Sequence, residues 1–316
     1  MSAAVDVSIL VVSYNTREMT LACLASVYAQ TTGVTFEVVV VDNDSTDGSA
    51  DAVAAAFPQV RLIRPRGNLG FAKANNVAAA HAAGRWVLLL NPDTVILDGA
   101  VQRVVRFAES KPDPTLVVAG GRTFFGDGRL NYNSCHGAPT PWSLLCMGLG
   151  LSSLFRRSRL FNPESLGAWK RDTQREVDAV TGCFLLMHRT LWDRLGGFDE
   201  WFFMYGEDTD LCIRARKLGA RCLVCPDATL VHYGGQSEKV RADKMVKLFF
   251  AKVQLFRRHW HPWMVGWGVR MLMLWAFSRM WVTRAAERVR RQPPSSSLAW
   301  RDVWRRRADF AAALHA

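Results

Sequence analysis

Four short apolar runs mark the first third of the chain: VSILVV (7–12), FEVVVV (36–41), VRLIR (60–64) and WVLLLN (86–91). Polar residues follow each one. Helical patterns then follow, Ala-rich at 17–29 and 49–57 and opened by a Gly-containing loop at 71–83. Strands alternating with helices of this length imply right-handed crossovers and a mostly parallel sheet covered by helices, so the expected class is α/β. Ligands of such sheets bind beyond the carboxyl ends of the strands. That rule singles out Ser13-Tyr14-Asn15, Asp42-Asn43-Asp44 and Asn91-Pro92-Asp93 and predicts that they share one edge.

A helix over about 98–109 and a strand at 116–120 come next. Residues 121–176 lose periodicity and are rich in Gly, Pro, Ser and Arg, as expected of an irregular excursion over the active face with short helices. Pattern returns in VDAVTGCFLLMHR (177–189), a helix at 190–196 and the loop GGFDEWFFMYGED. A helix over 209–219 ends on Gly219, and the segments RCLVCPD and LVHYGG follow.

Charge divides the chain. Residues 1–240 hold 24 Lys/Arg against 24 Asp/Glu, whereas residues 241–316 hold 16 against 4 and seven of the twelve tryptophans. Two domains are expected, 1–240 catalytic and 241–316 basic and helical. The stretch PWMVGWGVRMLMLWAFSRMWV (262–282) has the length of a membrane span, but Arg270 and Arg279 would each cost a few kcal/mol at a bilayer centre. A helix lying in the membrane interface fits its Trp, Leu, Met and Arg content better, and packing on the catalytic domain is the alternative. Basic residues mixed with bulky apolar ones argue against nucleic acid. The N-terminus has no basic region or cleavage site and is expected to be a first strand, not a signal peptide. Seven cysteines are scattered among apolar neighbours, as buried thiols are. The Cys222-x-x-Cys225 pair has no second pair to complete a zinc site, so a cytosolic chain is expected. QPPSSS (292–297) is the one short disorder-like patch.

Several residues could carry chemistry. Asp42 can accept from a pyrimidine imide or a ribose hydroxyl, or cap the next helix, a need that Ser45 and Asp47 also meet. In NLGFAKANNVA (68–78), Lys73 could meet a phosphate and Asn75 or Asn76 a base or sugar, with helix capping by Asn68 as the alternative. Pro92 ends the ladder and holds Asn91 extended, so Asp93 projects from the edge as a carboxylate for a hard divalent cation or as an ordinary turn Asp. Glu207, Asp208 and Asp210 cluster at a helix start beside aromatics. Capping explains one of them, and general-base work would explain another. His232 is a structural histidine or a second metal ligand.

Taken together, VVSYN, VVVVDNDSTDGS, NLGFAKANN, LLLNPDT, TGCFLLMHR, GGFDEWFFMYGEDTDLCIRARKLG and LVHYGGQS resemble the family 2 glycosyltransferases of GT-A fold over about residues 6–240. Within them they resemble the bacterial rhamnosyltransferases that act on polyprenyl-diphosphate-linked sugars. The resemblance implies an inverting transfer at a donor site that includes Ser13, Asn15, Asp42, Lys73, Asn75, Asn91, Asp93 and Gly182. Asp42 would contact the donor pyrimidine, and Gly182 would lie in the loop near the acceptor. Asp93 would be the last acid of the DxD-type metal motif, with His232 as the second ligand of Mg2+ or Mn2+. Asp208 would be the base and Glu207 its partner. Asn91 and Pro92 depart from the motif and remove one carboxylate. The implied donor is dTDP-L-rhamnose, with UDP-sugars next, and the implied acceptor is a lipid-linked or oligosaccharide hydroxyl at the cytoplasmic face of the inner membrane. A homo-oligomer is compatible with the sequence. A nucleotidyltransferase would carry a Gly-rich pyrophosphate loop after the first strand, which VVSYNTRE lacks. A non-catalytic sugar-nucleotide binder is the other rival.

Overall fold

The structure is a computed structural model that describes residues 5–234, 241–290 and 295–314. The chain forms two compact units. One comprises residues 1–136, 170–203 and 207–237, and the other residues 137–169, 204–206 and 238–316. The division expected at residue 240 falls at the end of 235–240, outside the described residues, and the excursion at 137–169 belongs to the second unit.

The first unit opens with β1 (Val7–Ser13), α1 (Arg17–Gln30), β2 (Phe36–Asp42), α2 (Ser49–Ala56), β3 (Arg61–Ile63), α3 (Gly70–Ala80) and β4 (Trp86–Leu90). β5 (Thr94–Ile96), α4 (Ala100–Glu109), β6 (Val117–Phe124), β7 (Leu130–Asn131) and β8 (Cys135–His136) follow. β-Branched and leucine side chains buried on both faces make β1 and β4 interior strands. β2 and β4 both run parallel to β1, pairing Ser13 with Asp42 and Val11 with Leu90, so the three polar strand ends do share one edge. Leu24 and Val27 of α1 and Val101, Val104 and Val105 of α4 close the core against this sheet.

The second unit takes α5 (Pro141–Gly148) and α6 (Leu151–Leu154) before the chain returns to the sheet as β9 (Arg175–Val177), β10 (Ala179–Val180) and β11 (Phe184–His188). α7 (Arg189–Leu195), α8 (Glu207–Lys217) and β12 (Arg221–His232) complete the sheet unit. Among the described residues the main sheet runs β3-β2-β1-β4-β11-β6-β12-β5, with β7 on β6 and β9 on β12. It is mixed: β11 is antiparallel to both β4 and β6. RCLVCPD and LVH are one strand whose register shifts between Val224 and Thr229, around Pro226, which has no N–H to give a ladder. The fold is therefore the expected helix-flanked α/β sheet with a helical C-terminal extension.

That extension comprises α9 (Arg241–His259), α10 (Pro262–Arg290), α11 (Ser295–Arg305) and α12 (Arg307–Ala311). The break at Trp260-His261 precedes Pro262, which suits a first helical turn. Of the QPPSSS patch, residues up to 294 lie outside the described residues, and α11 begins at Ser295. The unit has its own core. Val246, Phe249, Val253 and Phe256 of α9 meet Val265, Val269, Leu272, Ala276 and Met280 of α10 at helical spacing. Phe249 sits 5.0 Å from the Trp275 ring, and Trp275 sits 5.6 Å from Trp300. One stripe of 262–282 is thus packed inside the helical unit, while Trp263, Phe277, Trp281 and Val282 of the same helix are exposed. Among the described residues no helix is long and apolar enough to cross a membrane.

Candidate active site

The strand ends meet through main-chain register. β11 enters antiparallel beside β4, with Phe184 opposite Leu90, so Gly182 and Cys183 arrive at the edge where Asn91 and Asp93 leave it. The Asn91 amide donates to the Cys183 carbonyl at 3.1 Å. β12 pairs His232 with Thr94, and the Tyr233 amide donates to the Asp93 carbonyl at 3.0 Å. The His232 and Asp93 side chains are thereby set face to face, with Nε2 3.3 Å from Oδ1. Both are largely buried. Burial alone would lower the imidazole, but the Cys183 sulfur and the Asp93 carboxylate against it overcome that and raise its pKa to about 10.

On the other side of the Gly182–Cys183 pair lies Asp208. Its Oδ2 accepts from the Gly182 amide at 3.2 Å, and its Oδ1 accepts from the Thr209 amide at 2.6 Å. Two backbone donors hold the half-buried carboxylate at the start of α8, where the helix dipole favours its charge. Glu207 is buried and its Oε2 has no hydrogen-bond partner. Burial first, then Asp208 and Asp210, pushes its carboxyl well above the ordinary range, favouring the neutral form. The third acid is structural. Asp210 is fully buried and accepts from Arg214 Nε at 2.7 Å, while the same guanidinium donates to the carbonyls of Leu195 and Gly197.

At the β2 end, Asp42 is buried. Its Oδ1 accepts from the Ser45 amide at 2.9 Å and its Oδ2 has no hydrogen-bond partner. Asp47 accepts from the Arg17 amide and the Ser49 amide, the first residues of α1 and α2, each at 3.0 Å. Asn15 ties the first loop to the second, its Oδ1 accepting from the Thr46 amide at 2.8 Å.

Three expected ligand residues are placed differently. Ser13 is fully buried, and its hydroxyl lies 2.9 Å from that of Thr20 inside the unit. Asn75 is buried in α3 and donates to the Phe71 carbonyl at 2.9 Å, so its amide serves the helix. Asn76 holds the following loop, donating to the Phe198 carbonyl and accepting from the Phe198 amide, both at 2.9 Å. Lys73 stays exposed, 3.8 Å from Glu200. Asn68 does accept from the Gly70 amide at 2.9 Å, and Asn43 braces the same loop. Gly70 has φ +77°, and a Cβ there would stand 2.5 Å from the Phe203 carbonyl, so the loop-to-helix turn requires glycine.

Two residues not anticipated from the sequence also reach the site. His136 Nε2 lies 3.4 Å from the Thr209 hydroxyl, and that hydroxyl lies 3.2 Å from Asp208 Oδ1. Cys183 stands between the two acid centres. Nothing local in SCHG or TGCF marks either residue, because both depend on long-range register.

The residues fit a hard divalent cation shared with a ligand. Asp93 and His232 already face one another, and Asn91 Oδ1 is buried with no hydrogen-bond partner at the same strand end. Among the described residues no group of three His, Cys, Asp or Glu could complete a cage. That matches Mg2+-type sites, in which one or two protein oxygens are joined by substrate phosphates.

Comparisons with known proteins agree with this geometry. The profile described as Glycosyl transferase family 2 matches residues 8–195. The N-acetylglucosaminyl-diphospho-decaprenol L-rhamnosyltransferase of Mycobacterium tuberculosis is 28% identical over 233 residues, 63% of this chain and 67% of that protein. The rhamnosyltransferase WbbL of Escherichia coli is 27% identical over 175 residues, 53% of this chain and 62% of that protein. Among solved structures, the mannosyltransferase PcManGT of Pyrobaculum calidifontis, in complex with GDP-Man and Mn2+, shares the fold. Its TM-score is 0.56 at 19% identity, over 99% of this chain and 86% of that one. With the family profile spanning more than half of its length, the chain belongs to glycosyl transferase family 2, with the GT-A fold and a rhamnosyltransferase-like sequence.

Proposed function

We propose that this glycosyltransferase moves L-rhamnose from dTDP-L-rhamnose, with inversion, to a hydroxyl of a saccharide carried on a polyprenyl diphosphate. The transfer would serve cell-wall or surface polysaccharide assembly at the cytoplasmic face of the inner membrane. One observation carries the reading: Asp208 and the Asp93–His232 pair both engage the two-residue Gly182–Cys183 segment, so a base and an anion-stabilising pair serve one small region. The relatives that transfer rhamnose, one of them named for a decaprenyl-diphosphate acceptor, support the donor and acceptor classes.

Asp208 takes the proton of the acceptor hydroxyl as that oxygen attacks the anomeric carbon. The bond from that carbon to the diphosphate breaks, its electron pair leaves with the diphosphate, and the single displacement inverts the centre. Asp93 and His232 would hold Mg2+ or Mn2+, which would supply positive charge to the departing diphosphate. Asp42 Oδ2, buried and without a hydrogen-bond partner, would accept the imide N–H of the pyrimidine. Thymine and uracil present that same N–H, so a UDP-sugar donor is the second reading.

The test is turnover by purified protein on a panel of nucleotide sugars with an N-acetylglucosaminyl-diphospho-lipid acceptor, with Mn2+ or EDTA, read by mass spectrometry. A deoxyhexose added from the dTDP donor is expected. A product only from UDP donors would move the assignment to the second reading, and donor binding without product or hydrolysis would indicate a non-catalytic binder.

A further inference from the structure

Of the large apolar or aromatic side chains exposed among the described residues, four (Tyr14, Tyr132, Phe203 and Tyr233) lie in the sheet unit and ten lie in the helical unit. Of the second set, Trp263, Phe277, Trp281 and Val282 lie on α10, and Leu154 and Phe155 lie at the end of α6. Leu154 and Phe155, at the end of α6, are 75% and 44% exposed. Ser153 beside them is engaged twice: Arg279 Nη1 lies 3.3 Å from its hydroxyl, and Arg156 Nε donates to its carbonyl at 3.2 Å. These contacts fix the α6 tip beside α10. The stripe of α10 from Val265 to Met280 is buried, while Phe277, Trp281 and Val282 are exposed. The Arg284 guanidinium lies over the Trp281 ring at 5.8 Å.

Among the described residues, no carboxylate pairs with Arg156, Arg279 or Arg284. Burial lowers the Arg279 pKa, and the charges of Arg156 and Arg241 push it the same way. Unpaired arginines beside an apolar ridge are favourable only where a negative, partly apolar surface meets them. A headgroup layer offers phosphate to the guanidinium groups and acyl carbon to the leucine and aromatics, and indole rings favour that depth.

We propose that the helical unit docks on an anionic phospholipid bilayer through the α6 tip and the outward face of α10. Arg156 and Arg284 meet lipid phosphates, Leu154, Phe155 and Trp281 enter the acyl boundary, and Arg279, bound to Ser153 and lying over the Trp300 ring at 5.5 Å, holds the ridge in place. The docking rests on the transfer reading above for its purpose, the delivery of a lipid-borne acceptor, but not for its physics.

The test is co-sedimentation of the full chain with vesicles of phosphatidylcholine alone or with about one-third phosphatidylglycerol. The protein is expected to pellet with the anionic vesicles only and to be released by salt. Leu154→Ser with Phe155→Ser should weaken partitioning about tenfold, and Arg156→Gln with Arg284→Gln by about as much. All four side chains are exposed, so unchanged circular dichroism and Tm confirm folding. Equal binding to neutral vesicles, no binding, or wild-type binding by both double variants overturns the proposal. A vesicle-free dimer abolished by the Leu154/Phe155 variant also overturns it, by making a second copy of the chain the occupant. Transfer to a short-chain, water-soluble acceptor separates the two readings. The docking variants should retain the wild-type rate, and a wild type that binds vesicles but transfers nothing would remove the transfer reading and leave docking standing.

Discussion

The two units depart from ordinary globular rules in opposite directions. In the sheet unit the anomalies are polar and inside: Asp42 Oδ2, Asn91 Oδ1 and Glu207 Oε2 are buried without hydrogen-bond partners. The helical unit also buries Trp300 Nε1 without a hydrogen-bond partner, but its larger departure is apolar and outside, with Leu154, Trp281 and Val282 exposed near Arg156 and Arg284. A buried polar group without a partner is costly, and so is a large apolar surface in water. Each pattern suits the neighbour proposed for it: a polar small molecule for the first, an amphipathic surface for the second.

The contrast breaks most sharply at Asp208. Asp208→Asn should lower turnover by about 10³-fold or more while calorimetry shows donor binding intact, and retained turnover would remove it as the base. Asp93→Ala should reduce turnover about 100-fold and make donor affinity insensitive to EDTA. Wild-type donor affinity that already ignores EDTA would argue against the metal.

Stability separates the polar groups that serve the fold from those that serve a ligand. Arg214→Ala removes the guanidinium that donates to buried Asp210 and to the Leu195 and Gly197 carbonyls, and should destabilise the sheet unit by about 3–5 kcal/mol in denaturant unfolding. Phe249→Ala should cost the helical unit a similar amount, about 3–5 kcal/mol, through cavity formation. A smaller effect is expected from pH. Glu207 is raised above its usual 4.5, so below that value both folded and unfolded states keep the proton and no penalty exists. As pH rises above it, the unfolded state releases its proton first and stability falls until the folded value is passed. Glu207→Gln should flatten the decline of Tm between about pH 5 and pH 8. An unchanged slope would show that Glu207 is not held neutral.

Much of the sheet was legible because a buried strand followed by a polar residue is a local signal. VSILVV, FEVVVV and WVLLLN lie in their expected strands, and Asp42 and Asp93 leave from their ends. The direction of β11 was not legible: FLLMH reads the same parallel or antiparallel, and its partners decide. Asn75 looked available because composition cannot say which face of α3 is covered. His136 and Cys183 reach the site only through pairings of residues far apart in the chain. Of the excursion at 121–176, residues 137–169 belong to the helical unit through contacts such as Leu144 in its core, and no periodicity announces them.

The carboxylate of Asp208 is gripped at both oxygens by peptide N–H groups, from Gly182 and Thr209. Main-chain donors survive any side-chain replacement, so the aim of the proposed base is set by the path of the backbone. If it is the base, side chains around the incoming sugar are at liberty to diverge, and new acceptors become accessible without re-aiming it.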